Sequence, residues 1–366
     1  PIDTVSWLLY YIAAPFLILL AVVATVLNVT VFMSRFFVKS RSSTLEMTYS
    51  LAVTDTLSSL AQAASLFWNS YGPVVLNMRH NNWCFPMALE VFRMGFMLTG
   101  VFHIAALASV HYLQIVRPFD HTRILSLSQT HVLLVILWVV PTLVMTIYFS
   151  SFPGSGFQAE KCNNEAPDGM DFYYNIFFRG QVSLIIFIMM LATCIIYWRL
   201  LRVVDNVRQK TTMAANKNAP ASKTMSVKSW KSGGSNGCNR GRRTVVTATI
   251  IYGTFLFGWM PASCLFILTA KEMPLFAVKK SWFGVVFFFS MMCMILKTLT
   301  NPIIYATRIP EVRNFVHRLL RIRPKTSRQV TQEATSRRRS ENGETRNTLL
   351  LNPDRSSIFT REISHT

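Results

Sequence analysis

The sequence Asn301-Pro302-Ile303-Ile304-Tyr305 closes the last of seven long apolar stretches in this chain. Proline removes a backbone hydrogen-bond donor and clashes with the preceding helical turn. Such an interruption persists in a membrane helix where neighbouring helices satisfy the freed polar groups. The stretch therefore predicts a span that ends in a packed, polar and bent segment, as expected of a helix that moves during signalling.

The composition is that of a membrane protein. Of the 366 residues, 51% are hydrophobic and 15% are charged, and the mean hydropathy is +0.33. Apolar runs of about 20 residues are long enough to cross a bilayer core. We predict spans at residues 7–32, 45–68, 87–110, 132–149, 174–201, 245–268 and 282–305. The predicted fold is an all-α membrane protein, a seven-transmembrane helix bundle with a short amphipathic eighth helix.

The formal net charge of +20 could indicate a nucleic-acid partner, but its distribution argues against one. Basic residues concentrate in alternate connections and in the C-terminal tail, whereas the opposite loops carry few. Because basic residues prefer the cytoplasmic side, we predict an extracellular N-terminus and a cytoplasmic C-terminus in the plasma membrane. The expected partner of these charges is the lipid bilayer, not nucleic acid.

Composition divides the chain into four parts. Residues 1–6 are expected to be an extracellular N-terminal remnant, and 7–306 the membrane domain. Within it, residues 205–241 are rich in Lys, Ser, Gly and Asn, which predicts a disordered third inner loop. Residues 309–323 repeat apolar side chains at helical spacing among basic ones, which predicts an amphipathic juxtamembrane helix. Residues 324–366 are polar and are expected to form a disordered cytoplasmic tail.

The cysteines differ in the environment predicted for them. Cys84 and Cys162 fall on the outer side, which is oxidising, so a disulfide between them is expected. Cys194, Cys264 and Cys293 lie within spans and are interpreted as small packing residues.

Short motifs occur in the same order as the spans. They are Asn28; Leu51-Ala52-Val53-Thr54-Asp55; His111-Tyr112-Leu113-Gln114-Ile115-Val116-Arg117-Pro118-Phe119; Trp138 and Pro141; Tyr197; Phe255, Trp259 and Pro261; and the Asn301–Tyr305 run. Each motif alone is weak evidence for any one family, but together, in this order and on these spans, the motifs are specific. Over nearly all of residues 27–320 the chain resembles the rhodopsin-like G-protein-coupled receptors.

The resemblance implies a cell-surface receptor that binds an extracellular ligand and signals through a heterotrimeric G protein. It implies a pivot at Pro261 with Trp259 near the floor of the ligand site, although Trp259 and Phe255 could instead be lipid-facing packing residues. Tyr197 and Tyr305 resemble the tyrosines that reach inward in the active state. Pro118 and Phe119 resemble the apolar contact that a G protein receives from the second inner loop.

The third span departs from the family pattern. An acidic residue and then Arg usually precede Tyr112, but here these positions are Val110 and His111. Histidine has fewer donors and a shorter reach than arginine. We expect a weaker resting lock and altered G-protein contact; alternatively, His111 simply ends a helix.

Lys297 is a second departure. Charged groups in mid-membrane mark function by default. Lys297 and Asn301 are four residues apart and share one helical face, which in the family meets Asp55. We expect Lys297 to replace a sodium ion as the counter-ion of Asp55, or, alternatively, to face a water channel unpaired. It is two residues, about 200° around a helix, from the retinal-binding lysine position of opsins, which disfavours a light receptor.

Glu90, Arg93 and Met97 form one stripe on the third span. Amine receptors carry Asp at the position that aligns with Arg93, so Arg93 would repel an ammonium ligand. Arginine binds carboxylates and carbonyl groups, and Arg179 adds a further donor. The pocket therefore favours a ligand with an acidic or carbonyl-rich end. Alternatively, Glu90 and Arg93 pair within one helix at i, i+3.

A neuropeptide is the favoured ligand. A chemosensory receptor for a small environmental molecule is the alternative on the same fold, and a transporter or channel is the alternative from another class. No metal-ligand spacing, phosphate loop or Ser/His/Asp set indicates an enzyme or a cofactor. In the tail, Ser340 follows three arginines and resembles a kinase site, so arrestin and receptor kinases are further expected partners.

Overall fold

The computed structural model describes residues 3–39, 41–78, 83–117, 120, 123–159, 162, 171–217, 232–276 and 281–321. Its principal helices are α1 (Thr4–Phe37), α2 (Ser43–Leu66), α3 (Cys84–Val116), α4 (Leu127–Ser150), α5 (Ile176–Lys217), α6 (Ser232–Leu268), α7 (Ser281–Arg308) and α8 (Pro310–Leu319). A π-helical turn, Phe67–Tyr71, and a short helix, Gly72–Val75, follow α2. A single turn, Asp171–Tyr174, precedes α5. No strand occurs in the described ranges, as the predicted all-α fold requires.

Within the described part of the chain, six helices are long and apolar enough to cross a membrane, namely α1 and α3 to α7. The remaining predicted span, α2, has the same length of 24 residues as α4. It is less apolar than the other six because it carries polar side chains. Several of these are buried among its neighbours: Thr54, Asp55, Ser59 and Gln62. Polar groups inside a bundle find partners there that lipid cannot offer.

The helix α3 lies at the centre of the bundle and α4 at its edge. In the most apolar window of α3, 72% of the residues are buried, against 17% for α4. The two helices approach closely at Gly95, where an added Cβ would lie 3.2 Å from the Cα of Thr142. The absence of a side chain at Gly95 therefore permits this close contact.

The predicted disulfide is confirmed. Cys84, the first residue of α3, is bonded to Cys162, and their Cα atoms are 5.0 Å apart. Cys162 has φ of +50°, a left-handed backbone conformation that a non-glycine residue adopts at some cost. We call the end of the bundle that carries this disulfide the outer end, and the end that carries Tyr305 the inner end.

The connection between α5 and α6 differs from the sequence-based expectation. Residues 205–241 were expected to be disordered, but α5 continues to Lys217 and α6 begins at Ser232. Leu200 and Val204 are buried one turn apart, and Arg, Gln, Lys and Ala, which follow in the sequence, are good helix formers. Residues 218–231 lie outside the described ranges.

The chain divides into two compact units, Pro1–Arg313 and Asn314–Thr366. The first holds the seven long helices. The second is described only at residues 314–321, which include the end of α8. Val312, in the first unit, is fully buried. The predicted tail, residues 324–366, lies outside the described residues, as does Ser340.

Candidate functional site

A cavity of about 500 Å³ lies in the outer half of the bundle. Its walls come from α2, α3, α5, α6, α7 and the turn before α5. Its lining includes Gln62, Ser65, Asn69, Glu90, Arg93, Met97, Tyr173, Arg179, Ser263, Met291 and Met294. The cavity thus combines a few convergent polar groups with an apolar lining, which is typical of a ligand site.

Glu90, Arg93 and Tyr173 form what we call the outer charged group. Arg93 donates from Nε to Glu90 Oε2 at 2.8 Å and from a second nitrogen to Glu90 Oε1. The Tyr173 hydroxyl donates to Glu90 Oε1 at 2.5 Å. Both the i, i+3 pair and the cavity position expected of Arg93 are therefore present together. The carboxylate of Glu90 neutralises the guanidinium of Arg93.

Tyr173 lies on the turn that precedes α5. Burial raises the pKa of its hydroxyl, and the negative charge of Glu90 raises it further. The hydroxyl therefore stays protonated and available as a donor across the physiological range. Glu90 Oε1 therefore accepts two hydrogen bonds, one from Tyr173 and one from Arg93.

Arg179 lines the cavity but is largely committed to the protein itself. It is only 4% exposed, and it donates to the carbonyl oxygens of Tyr173 at 2.8 Å and Phe266 at 3.1 Å. It also donates to Thr269 Oγ1 at 2.5 Å, and its guanidinium lies over three aromatic rings at 4.6–4.9 Å from their centroids. These contacts tie α5 to α6 at the outer end.

Met97 lines the cavity as expected, but Trp259 does not. Trp259 is 6% exposed and packs against Phe255 with ring centroids 6.3 Å apart. Its indole nitrogen is buried and has no hydrogen-bond partner among the described residues. Trp259 thus packs against a neighbour on its own helix and is not part of the cavity lining.

Asp55, Lys297 and Asn301 meet in the middle of the bundle. Lys297 Nζ donates to Asp55 Oδ1 in an ion pair whose side chains are each 1% exposed. Asn301 Nδ2 donates to Asp55 Oδ2 at 2.6 Å. Both carboxylate oxygens are therefore occupied by donors from α7. A buried charge requires such a partner, because desolvation of an unpaired ion costs several kcal/mol, to an order of magnitude.

The surroundings of Lys297 come largely from α6. Its ammonium nitrogen lies 5.6 Å from the centroid of Phe255, and its stem lies against Gly258. Thr254 Oγ1 donates to Asn301 Oδ1 at 3.5 Å. On the other side, Asn28 of α1 donates to the carbonyl oxygen of Thr298 at 2.8 Å. Four helices therefore converge on this polar centre.

Two prolines lie inside helices beside these groups. Pro261 is inside α6, and Pro302 is inside α7 directly after Asn301. Each removes one backbone donor from its helix. The bend expected at the end of the seventh span therefore falls on the residue next to the Asp55 contact.

At the inner end the expected tyrosines are buried. Tyr305 is 0% exposed, and its hydroxyl has no hydrogen-bond partner among the described residues. Tyr197 packs against Tyr252 with the two rings tilted and their centroids 5.6 Å apart. His111 is 4% exposed, and its Nδ1 has no hydrogen-bond partner in the described part of the chain; its neighbour Tyr112 is half-buried. Pro118 and Phe119 lie outside the described residues.

Three features of the site were not recognised from sequence. Neither Gln62 nor Gly258 belongs to a motif that the sequence analysis identified. A chain of hydrogen bonds also joins α2, α3 and α4: Trp138 donates to Ser50 Oγ at 2.9 Å, Ser50 meets His103 Nε2 at 2.8 Å, and His103 Nδ1 meets the Thr99 carbonyl at 2.8 Å. A histidine inside an apolar span was the available signal, since ionisable residues in membranes are rarely unpartnered.

The comparison with known families agrees with this architecture. The family described as 7 transmembrane receptor (rhodopsin family) matches residues 25–305, well over half of the chain. The chain therefore belongs to the rhodopsin family of seven-transmembrane receptors. It is a cell-surface receptor that signals through G proteins in response to an extracellular ligand. No individual curated protein matches the chain.

Proposed function

We propose that this receptor binds an extracellular peptide, such as a neuropeptide. The observation that carries the proposal is the charge of the cavity: its described charged residues are Arg93, Arg179 and one carboxylate, Glu90. The formal charge is therefore positive. An ammonium ligand would be repelled, because no acidic group in the lining lacks a basic partner.

A peptide suits the same groups. Arg93 shares Glu90 with Tyr173, so it offers hydrogen bonds to a ligand carbonyl without being an unpaired cation. Neutral polar side chains line the other side of the cavity, with Gln62 and Ser65 on α2 and Asn69 on the π-helical turn that follows it. Backbone amides, which donate and accept at every residue, can pair with both sets.

The second part of the proposal concerns transmission. Asp55, Lys297, Asn301, Pro302 and Tyr305 act as the activation switch of α7. On α5 and α6 the corresponding residues are Tyr197, Phe255, Pro261 and Trp259. The support is that α6 packs directly on the stem of Lys297, so a pivot of α6 must disturb the ion pair with Asp55.

The third part concerns the inner end and the orientation. His111, Tyr112, Pro118 and Phe119 contact the G protein, and Ser340 is phosphorylated for arrestin. The N-terminus is extracellular and the C-terminus cytoplasmic in the plasma membrane, because basic residues concentrate on one side. His111 gives a weaker contact than arginine would, since it has fewer donors.

Arrestin recruitment in cells tests the ligand class. Cells that express the full chain are exposed to a peptide library and, in parallel, to a panel of monoamines. We expect peptide responses that fall at least about tenfold in potency when Arg93→Ala removes one hydrogen-bonding partner. Lys271→Ala removes an exposed charge that is not part of the cavity lining and keeps the backbone hydrogen bond to Tyr174, so it should leave potency unchanged. Responses to amines with peptides silent would overturn the proposal.

A further inference from the structure

Gln62 is the polar side chain at the bottom of the cavity. On each wall helix, the lining residue nearest the inner end is Gln62, Met97, Ile186, Ala262 or Met294, and we call this set the cavity floor. Four of its members are apolar. Arg93 lies one helical turn above Met97 on α3, so the outer charged group stands above the floor.

The amide of Gln62 has only weak partners. The side chain is 5% exposed, and its nitrogen donates to the sulfur atoms of Met291 at 3.1 Å and Met294 at 3.8 Å. Thioether sulfur is a weak acceptor. In the described part of the chain, no donor contacts the carbonyl oxygen of Gln62, and this oxygen is open to the cavity. Both halves of a buried amide therefore lack the strong partners that such groups normally have.

A second polar group near the floor is also unmatched. Ser263 lines the cavity from α6, and its hydroxyl oxygen is buried with no hydrogen-bond partner among the described residues. Buried polar groups without partners are rare in folded proteins. The Ser263 hydroxyl is enclosed by protein atoms, whereas the Gln62 amide borders the cavity, so we infer that a ligand supplies the missing partners of Gln62. The ligand must then carry a polar group at its deepest end.

The charges around the floor decide what that polar group is. The cation on the next turn of α3, Arg93, is held by Glu90, and the cation one turn below Met294, Lys297, is held by Asp55. Arg179 lies about two helical turns outward of the floor residue Ile186 and donates to carbonyl and hydroxyl oxygens. A carboxylate at the floor would thus be desolvated without a nearby counter-ion, and an ammonium would likewise have no free anion. A neutral group is favoured.

We propose that the floor receives a carboxamide, specifically the C-terminal amide of a peptide that enters with this end first; this rests on the proposed peptide ligand. A carboxamide both donates and accepts, so it can form two hydrogen bonds with the amide of Gln62. A free acid offers acceptors only and would face the Gln62 carbonyl oxygen. Gln62 is therefore a specificity-determining residue, and the methionines accommodate the adjoining side chain.

Matched pairs of peptides test this inference. Each member of a peptide library is made as the C-terminal amide and as the free acid, and both are assayed for arrestin recruitment in cells that express the full chain. Every active sequence should be at least about tenfold more potent as the amide, since the acid lacks a donor. Acids as potent as amides would overturn the inference but leave the peptide ligand intact. If neither form of any peptide is active, the proposed function itself fails.

Variants locate the effect. Gln62→Leu should bring the amide-to-acid potency ratio close to one, and Met97→Leu, which changes an apolar floor residue, should preserve it. Surface labelling of the intact receptor verifies expression. A ratio that Gln62→Leu leaves unchanged would overturn the role of Gln62. The comparison in the unmodified receptor decides the ligand chemistry even if that variant does not fold.

Discussion

Gly258 on α6 and Lys297 on α7 approach so closely that a Cβ at Gly258 would lie 2.5 Å from the Cβ of Lys297 and 3.0 Å from its Cγ. The same Cβ would lie 3.3 Å from the carbonyl oxygen of Cys293. The stem of the lysine therefore fills the space that a side chain at residue 258 would need. The ion pair between Lys297 and Asp55 depends on the smallest residue of the neighbouring helix.

Gly258→Ala is expected to destabilise the receptor by about 1–3 kcal/mol, because overpacking forces the lysine stem or the helix to shift. The measurement is the thermal unfolding temperature of the purified receptor. Gly253→Ala on the same helix is the matched control, since a Cβ there meets nothing within 4 Å. Alanine is the better helix former, so the control should be neutral or stabilising. Equal effects of the two substitutions would contradict the close approach.

Lys297→Met should destabilise the receptor by about 3–5 kcal/mol, because it leaves the buried carboxylate of Asp55 without its counter-ion. The substitution keeps the length of the side chain and removes its charge. Adding Asp55→Asn should restore much of the loss, since a neutral amide tolerates burial better than an unpaired ion. A double variant as unstable as the sum of the single ones would argue that the two residues act independently.

Sodium should not affect the unmodified receptor. The ammonium group of Lys297 already contacts Asp55, and a second cation at the same carboxylate would be repelled. Unfolding temperatures in equal concentrations of sodium chloride and choline chloride should therefore agree. In Lys297→Met, sodium should raise the unfolding temperature because Asp55 then lacks a cation. Sodium-dependent stability of the unmodified receptor would contradict the prediction.

His111→Arg should increase G-protein activation. Arginine has a longer reach and five donors, whereas His111 is buried and its Nδ1 meets no hydrogen-bond partner within the described ranges. We expect a severalfold rise in nucleotide exchange on G proteins added to receptor membranes. Ser109→Ala, which removes only a hydrogen bond from an exposed hydroxyl to the carbonyl oxygen of Ala105 in the same helix, serves as a control for general disturbance of the inner end of α3. Unchanged basal and stimulated exchange in His111→Arg would mean that His111, which lies inside α3, is only a packing residue and not a G-protein contact.

Some of the site could be inferred from local spacing. Residues four apart in a helix lie on the same face, so the common orientation of Lys297 and Asn301 follows from the sequence. The i, i+3 contact of Glu90 with Arg93 is likewise local. The position of Trp259 near the floor of the ligand site follows from the family pattern alone, and in the structure this residue lies outside the cavity lining.

The sequence by itself determined the membrane class, the approximate spans and the pairing of Cys84 with Cys162, because apolar run length and compartment chemistry are local properties. The tertiary structure decided which polar groups meet. Asp55 and Lys297 are 242 positions apart, and Gln62 and Met291 are 229 apart. Those contacts, and the space that Gly258 leaves for Lys297, arise from helix packing, in which the crossing and rotation of distant helices set every neighbour.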